Sequence, residues 1–381
     1  MSVAKKYLIV TPYFPTAISH LGIYIYDQAK TIQSLSNYDI EVVKVVGVAS
    51  TEKDYTFNGI KVHIFKVIDF PFFILPGIFN IVNSKRICSF VRRRFCAQDL
   101  AIVHSHVCYP SAYLANALSK KFNIRTIAQH HGIDALQLLN GRVSIISKLQ
   151  QSLLKNQSIK QLNGIDVNVS VSKLVEQGLH AYKAYNPSSE YVLYNGVDKE
   201  KFYPIENRPS DTFNIGCVAN FWPIKDHISL IKAVEQMVEE GVKDVRLRLI
   251  GKGETLNSCY NYVSENNLEQ YVSFEKEIDH EQLNQFYNEL NVFVLPSYYE
   301  ALGCVLLEAW ATNTPIISIK MQGIAEVLPE NELGNLLANQ QDPSSLKAKI
   351  MAEYQKRREL IFDDKYDIKN TISMFLNSQI H

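Results

Sequence analysis

Two glutamates eight residues apart, Glu300 and Glu308, lie in VFVLPSYYEALGCVLLEAWATNTPIIS, where an apolar strand runs into a polar loop and then a helical stretch. Ionised carboxylates only accept hydrogen bonds, so the pair suits a ligand that offers hydroxyl groups. Were the span fully helical, the two would stand roughly 12 Å apart, at about 1.5 Å per residue. That exceeds the about 5 to 9.5 Å between the paired carboxylates that hydrolyse sugar bonds, so the two are expected to hold two parts of one long ligand. The loop amides of Leu302, Gly303 and Cys304 open the helix and form a cradle for an anion or a hydroxyl. By physics alone the same stretch reads equally as an ordinary strand, turn and helix with two surface carboxylates.

Other residues of useful chemistry also follow strands. Lys225 lies in VANFWPIKDH, His131 in QHHGID with His130 before it and Asp134 after it, and His104 and His106 in IVHSHVCYPS. The two histidines of the last segment are read as alternating, so that only one reaches a ligand on a given face, and His106 is the one favoured. Gly22, in PTAISHLGIYIYDQ, precedes a helix and lets backbone come close to a ligand. Gly251 and Gly253 form a GKG after a strand, without the third glycine and acidic partner of a dinucleotide fingerprint. Taken singly, a histidine is more often structural and a helix-start lysine more often merely solvated.

The elements that must position these residues are short β-rich runs alternating with helical patterns, which predicts parallel sheets flanked by helices. VNVSVS, RLRLIG and VFVLPS are near-continuous apolar runs, as a sheet covered on both faces requires. The 381 residues exceed one ordinary core. The polar, proline-containing run Asp198–Asp211 reads as a linker, giving an acceptor-side domain over 1–205 and a second domain over 206–361, with a terminal helix over about 362–381 packing back on the first. Ligands of such sheets bind beyond the carboxyl ends of strands, where all the residues above fall.

Composition is globular, with 46% hydrophobic and 20% charged residues. Six cysteines at 88, 96, 108, 217, 259 and 304 show neither zinc spacing nor a CxxC pair, and read as scattered reduced thiols. The opening MSVAKKYLIVTPYF lacks the apolar length of a signal peptide, and Phe70–Val82 is too short and too proline-broken to span a bilayer, so a cytoplasmic location is expected. Net charge is zero, yet residues 1–205 hold 23 Lys and Arg against 13 Asp and Glu, and the remainder 16 against 26. The first half, at +10, is expected to meet something anionic, or else the second half at −10.

The stretch around Glu300 and Glu308 resembles the E-x7-E signature of the retaining family 4 glycosyltransferases, which have the GT-B fold: two Rossmann-like domains facing each other across a cleft. The resemblance continues in order through VSVSKLVEQGL, LYNGVDKEKFYP, RLRLIGKGE and QGIAEVLP, covering about residues 7 to 350. It implies that Glu300 and the amides of Leu302, Gly303 and Cys304 face a donor sugar while Glu308 accepts from ribose hydroxyls. It also implies that Lys225 grips the donor diphosphate and that His131 meets the sugar near the transferred carbon. Gly22, Gly251, and the backbone of Glu277 and Ile278 would line the nucleotide, with His106 and Asp134 toward the acceptor. Asn220 departs from the pattern, standing where an arginine is usual and removing one cation from the diphosphate.

The expected activity is transfer of a hexosyl group, with retention, from a nucleotide-diphosphate sugar to a glycan or lipid-linked glycan, in surface polysaccharide synthesis. No cofactor, metal or nucleic acid is expected. An epimerase or sugar phosphate synthase on the same fold, or an inactive nucleotide-sugar-binding subunit, are the alternatives. The aromatic run from Phe70 into Lys85, Arg86, Arg92, Arg93 and Arg94 predicts reversible docking on an anionic membrane at its inner face, and the stretch Ser144–Leu162 predicts an amphipathic helix lining an acceptor groove. Both segments read equally as core-facing helices with solvated lysines.

Overall fold

The computed structural model describes residues 4–70, 75–132, 147–205 and 211–380. Two compact units divide it, one formed by Met1–Tyr194 with Thr371–His381 and the other by Asn195–Asn370.

The first unit is built on an eight-stranded sheet. Its strands are β1 (Lys6–Thr11), β2 (Asp39–Gly47), β3 (Tyr55–Phe57), β4 (Ile60–Val67), β5 (Leu100–His106), β6 (Arg125–His130), β7 (Val167–Ser170) and β8 (Glu190–Val192), in the order β3-β4-β2-β1-β5-β6-β7-β8. All neighbours are parallel except the edge hairpin β3–β4. Asn58 and Gly59 make that hairpin turn with φ of 43° and 88°, the two positive values that a tight two-residue turn needs and that Asn-Gly adopts readily. Strands β1 and β7 are buried along nearly their whole length, β1 through the apolar run Tyr7–Val10 and β7 with Asn168 and Ser170 buried between and beside its valines.

The second unit has an all-parallel six-stranded sheet of β9 (Phe213–Val218), β10 (Val245–Ile250), β11 (Val272–Glu275), β12 (Val292–Val294), β13 (Ile316–Ile319) and β14 (Leu337–Ala338). Their order is β11-β10-β9-β12-β13-β14. Both sheets therefore reverse their strand order once, at β1/β5 in the first and β9/β12 in the second. A crevice for ligands opens at such a point, beyond the carboxyl ends of the two strands.

The units divide at Tyr194–Asn195, earlier than the 205 read from composition. Residues after Tyr194 are tied to the second unit: Val197 N–H donates to Tyr366 O (3.0 Å) and Ile368 N–H to Val197 O (2.9 Å). Tyr203 N–H and Ile205 N–H likewise reach the Asn284 and Asn288 side chains. In the terminal helix Ile368–Gln379, Phe375 lies against His104 and Tyr191 of the first unit. The helix Ser147–Leu162 buries Leu154, Ile159 and Leu162 in the first core, so its apolar spacing serves packing. No helix among the described residues is long and apolar enough to cross a membrane.

Candidate active site

In the second unit, the loops that leave β9 and β12 carry Lys225 and Glu300. Lys225 Nζ lies 2.5 Å from Glu300 Oε2, with the two side chains 21% and 18% exposed. The loop is held as well as paired: Glu300 N–H donates to Gln322 Oε1 (2.6 Å), Gln322 Nε2–H to Tyr298 O (3.1 Å), and Gly323 N–H to Glu300 O (3.1 Å). Only Glu308 of the two glutamates is helical, since the helix runs Cys304–Ala311 and Glu300 precedes it. Gly303 opens that helix, and a Cβ there would stand 3.0 Å from Glu300 Cγ, so the glycine makes room for the glutamate. The amides that open the helix carry its positive dipole end. Leu302 is buried, and its carbonyl accepts from Asn195 Nδ2 (3.0 Å).

Glu308 is buried yet not bare. Its Oε2 accepts from Tyr287 O–H at 2.8 Å, and His280 Nε2 stands 3.4 Å from Oε1. Burial and the adjacent Glu308 charge push the Tyr287 phenol well up, so it stays a donor. A carboxylate has about four lone-pair sites, so both oxygens retain capacity for ligand hydroxyls.

Asn220 is exposed at the end of β9. Gly251 adopts φ 147° and a Cβ there would meet Ala219 O at 2.1 Å; Gly253 at φ 151° would meet Phe221 O at 2.5 Å. The GKG loop is thus glycine because it packs backbone to backbone on the loop that carries Asn220. Lys252 pairs with the exposed Glu277 at 2.7 Å, and Ile278 follows half-buried. His227, one residue beyond the pair Lys225–Asp226, is buried and stacks on Phe221 at 4.0 Å; burial and the Lys225 charge bring it down to about 4.

In the first unit, the ends of β5 and β6 gather four histidines. His106 Nδ1 and His131 Nε2 are 2.9 Å apart with rings 12° from parallel. His104 stacks on His106 with centroids 4.3 Å apart, and Tyr7 O–H lies 2.7 Å from His104 Nδ1. The expectation that only one of His104 and His106 could face a given side is therefore wrong: residues two apart on a strand share a face. His130 points elsewhere, to Cys108 Sγ (3.1 Å) and Asn168 Oδ1 (3.2 Å), because adjacent side chains alternate. Burial, reinforced by neighbouring histidines, brings His104 and His131 down to about 3 and His106 well below the ordinary value; burial brings His130 to about 4. All four are neutral near pH 7. Gly22 caps the helix Ile23–Leu35 at φ 87°, with a Cβ there only 2.8 Å from Tyr13 backbone. Tyr24 follows it and lies 4.8 Å from His131. Asp134 lies outside the described residues.

The structure thus joins Lys225 to Glu300 and His106 to His131. Tyr287, His280 and Gln322 are partners that the sequence reading missed. Gln322 stands within QGIAEVLP and was within reach; Tyr287 and His280 carried no local signal. Among the described residues no three His, Cys, Asp or Glu side chains gather as metal ligands.

The model of the family described as Glycosyltransferase Family 4 matches residues 21–201, and that of Glycosyl transferases group 1 matches residues 198–360. An uncharacterized glycosyltransferase of Methanocaldococcus jannaschii is 28% identical over 72% of this chain and 70% of its own. An Escherichia coli UDP-Gal:alpha-D-GlcNAc-diphosphoundecaprenol alpha-1,3-galactosyltransferase is 28% identical over 42% of this chain and 44% of its own. In structure, Anabaena HepE in complex with UDP and glucose superposes with a TM-score of 0.73 at 15% identity, over 98% of this chain and 99% of that one. With two switch-point sheets, a paired lysine and glutamate, and both halves matched in order, the chain belongs to the group 1 and family 4 glycosyltransferases and has the GT-B fold.

Proposed function

We propose that this chain transfers a hexosyl group, with retention and without a metal ion, from a nucleotide-diphosphate sugar to a lipid-linked or other glycan acceptor, at the inner face of a membrane. The Lys225–Glu300 pair at the second switch point carries the reading. In it, Lys225 and the amides that open the helix Cys304–Ala311 take the departing diphosphate, where charge develops in the transition state. Glu300 and those of Leu302, Gly303 and Cys304 orient the sugar, and Glu308, aligned by Tyr287, takes ribose hydroxyls. Gly251 and the backbone of Glu277 and Ile278 lie toward the base.

His131, neutral and stacked on His106, meets the sugar as a hydrogen-bonding group. The leaving phosphate helps to remove the acceptor proton, so positioning does most of the work. The HepE complex with UDP and glucose and the galactosyltransferase named for a diphosphoundecaprenol acceptor support the donor and acceptor classes. The test is release of nucleoside diphosphate from a panel of nucleotide sugars with and without a prenyl-diphosphate glycan, in chelator. The reading expects acceptor-dependent release that chelator leaves intact and an anomer retained by NMR. Release independent of acceptor, loss in chelator, or an inverted anomer contradicts it.

A further inference from the structure

The positive charge of the first half is not spread evenly. Helices Asn80–Arg94, Tyr113–Phe122 and Ser147–Leu162 enclose a groove of about 810 Å³, into which Lys85, Arg92, Lys120, Lys121 and Lys160 project. No carboxylate lines it, and none of the five has an acidic partner within ion-pair distance among the described residues. Half of the excess of ten positive charges in residues 1–205 thus surrounds one groove. Such clustering repels itself, so it is a cost to the empty protein that an anion would remove.

The neighbouring basic side chains differ. Arg94 pairs with Asp54 (3.3 Å) and lies 3.9 Å over the Phe90 ring. Arg86 donates to Lys66 O (2.8 Å) and Asn83 Oδ1 (3.0 Å). Arg93 lines an adjoining cavity of about 670 Å³ that also holds Glu52 and Asp54, with Lys85 on the wall between the two. The run Arg92–Arg94, read in sequence as one basic patch, is therefore divided: Arg92 enters the uncompensated groove, while its two successors stand beside carboxylates.

The mouth of the groove is apolar. Ile81 lines it and is 72% exposed, and Ile78 and Val82 beside it are 57% and 45% exposed. From Ile81 to Arg92 the helix runs about 16 Å, at about 1.5 Å per residue. Cations inside and aliphatic side chains at the rim match an amphiphile with its phosphate inward and its chain outward.

We propose that this groove is the membrane-docking site of the protein and that it takes the phosphate headgroup of an anionic lipid, with Ile78, Ile81 and Val82 entering the acyl boundary. This rests on the membrane part of the proposed function and deepens it by naming the site. The full-length chain is sedimented with vesicles of phosphatidylglycerol and phosphatidylcholine in equal parts, and with phosphatidylcholine alone. Three forms are compared: wild type, Lys85→Ser/Lys120→Ser/Lys160→Ser, and Arg93→Ser/Arg94→Ser. All substituted side chains are exposed, and an unchanged thermal melt with unchanged nucleotide binding in solution confirms folding. Expected is wild-type binding to anionic vesicles alone, at least tenfold weaker in the groove triple and within threefold in the arginine double, with Ile81→Ser also weakening it.

Equal loss in both charge variants shows diffuse attraction and overturns the groove, as does wild-type binding by the triple. Tighter calorimetric binding of free pyrophosphate than of vesicles overturns the lipid as its source. Wild type that ignores anionic vesicles overturns the membrane reading together with the groove, while acceptor-dependent release in solution is scored separately.

Discussion

Replacing Lys225 by alanine isolates the charge proposed to act on the departing diphosphate. Its ammonium lies 2.5 Å from Glu300 Oε2 and the pair is about four-fifths buried. At Asn220, where the family's second cation is usual, this chain offers an amide. A preorganised group aimed at developing charge is worth about 10² to 10³ in kcat, or about 2.7 to 4 kcal/mol, and with no arginine behind it Lys225 should fall at the upper end. The fold should survive, because the Glu300 loop stays tied through its backbone to Gln322 and Gly323. The assay is steady-state release of nucleoside diphosphate in the presence of acceptor, beside a thermal melt. Lys225→Ala should lose at least a hundredfold in kcat with a nearly unchanged melt. Asn220→Arg in the Lys225→Ala background should recover part of that loss by restoring a cation to the same ligand. Lys225→Ala activity within threefold of wild type would refute the reasoning and assign the diphosphate to another cation.

Tyr287→Phe removes the donor to Glu308 Oε2 and should weaken nucleotide binding by about 1 to 3 kcal/mol while leaving sugar discrimination unaltered; an unchanged dissociation constant by calorimetry refutes an aligning role. Folded His104 and His130 take a proton only at about 3 and about 4, whereas the unfolded chain takes it near about 6.5. As pH falls from about 6.5 toward about 4 the unfolded state therefore binds more protons, and stability drops by up to about 1.4 kcal/mol per pH unit for each histidine. Melts of the first unit at about pH 7.5 and about pH 5 should show this fall, reduced in His104→Gln, and equal stability at both contradicts it.

Much of the architecture was legible because burial on both faces of a parallel sheet leaves apolar runs such as VNVSVS and VFVLPS. Strand order was not, since nothing local records that β9 lies between β10 and β12. That order brings Lys225 to Glu300 across 75 residues of sequence. The residues that set Glu308 were hidden for the same reason: Tyr287 and His280 come 21 and 28 residues before it, from the helix Leu283–Asn288 and the turn His280–Gln282. The reading of His104 and His106 failed on the two-residue period of a strand, which places both on one face. The stripe Leu154, Ile159 and Leu162 had helical spacing as expected, but spacing alone does not say whether a core or a ligand lies opposite.

The measurement that bears most directly on the proposed donor site in the second unit is a calorimetric titration of wild type and Glu308→Ala with uridine, guanosine and adenosine diphosphates and their sugars. Wild type should bind one nucleoside diphosphate series, and Glu308→Ala should bind it more weakly by about 1 to 3 kcal/mol, or about 5- to 150-fold, through lost ribose hydrogen bonds to a charged acceptor. Wild type that binds none of them, or a Glu308→Ala protein that binds them with the wild-type dissociation constant, would contradict a nucleotide-sugar site built on Glu308.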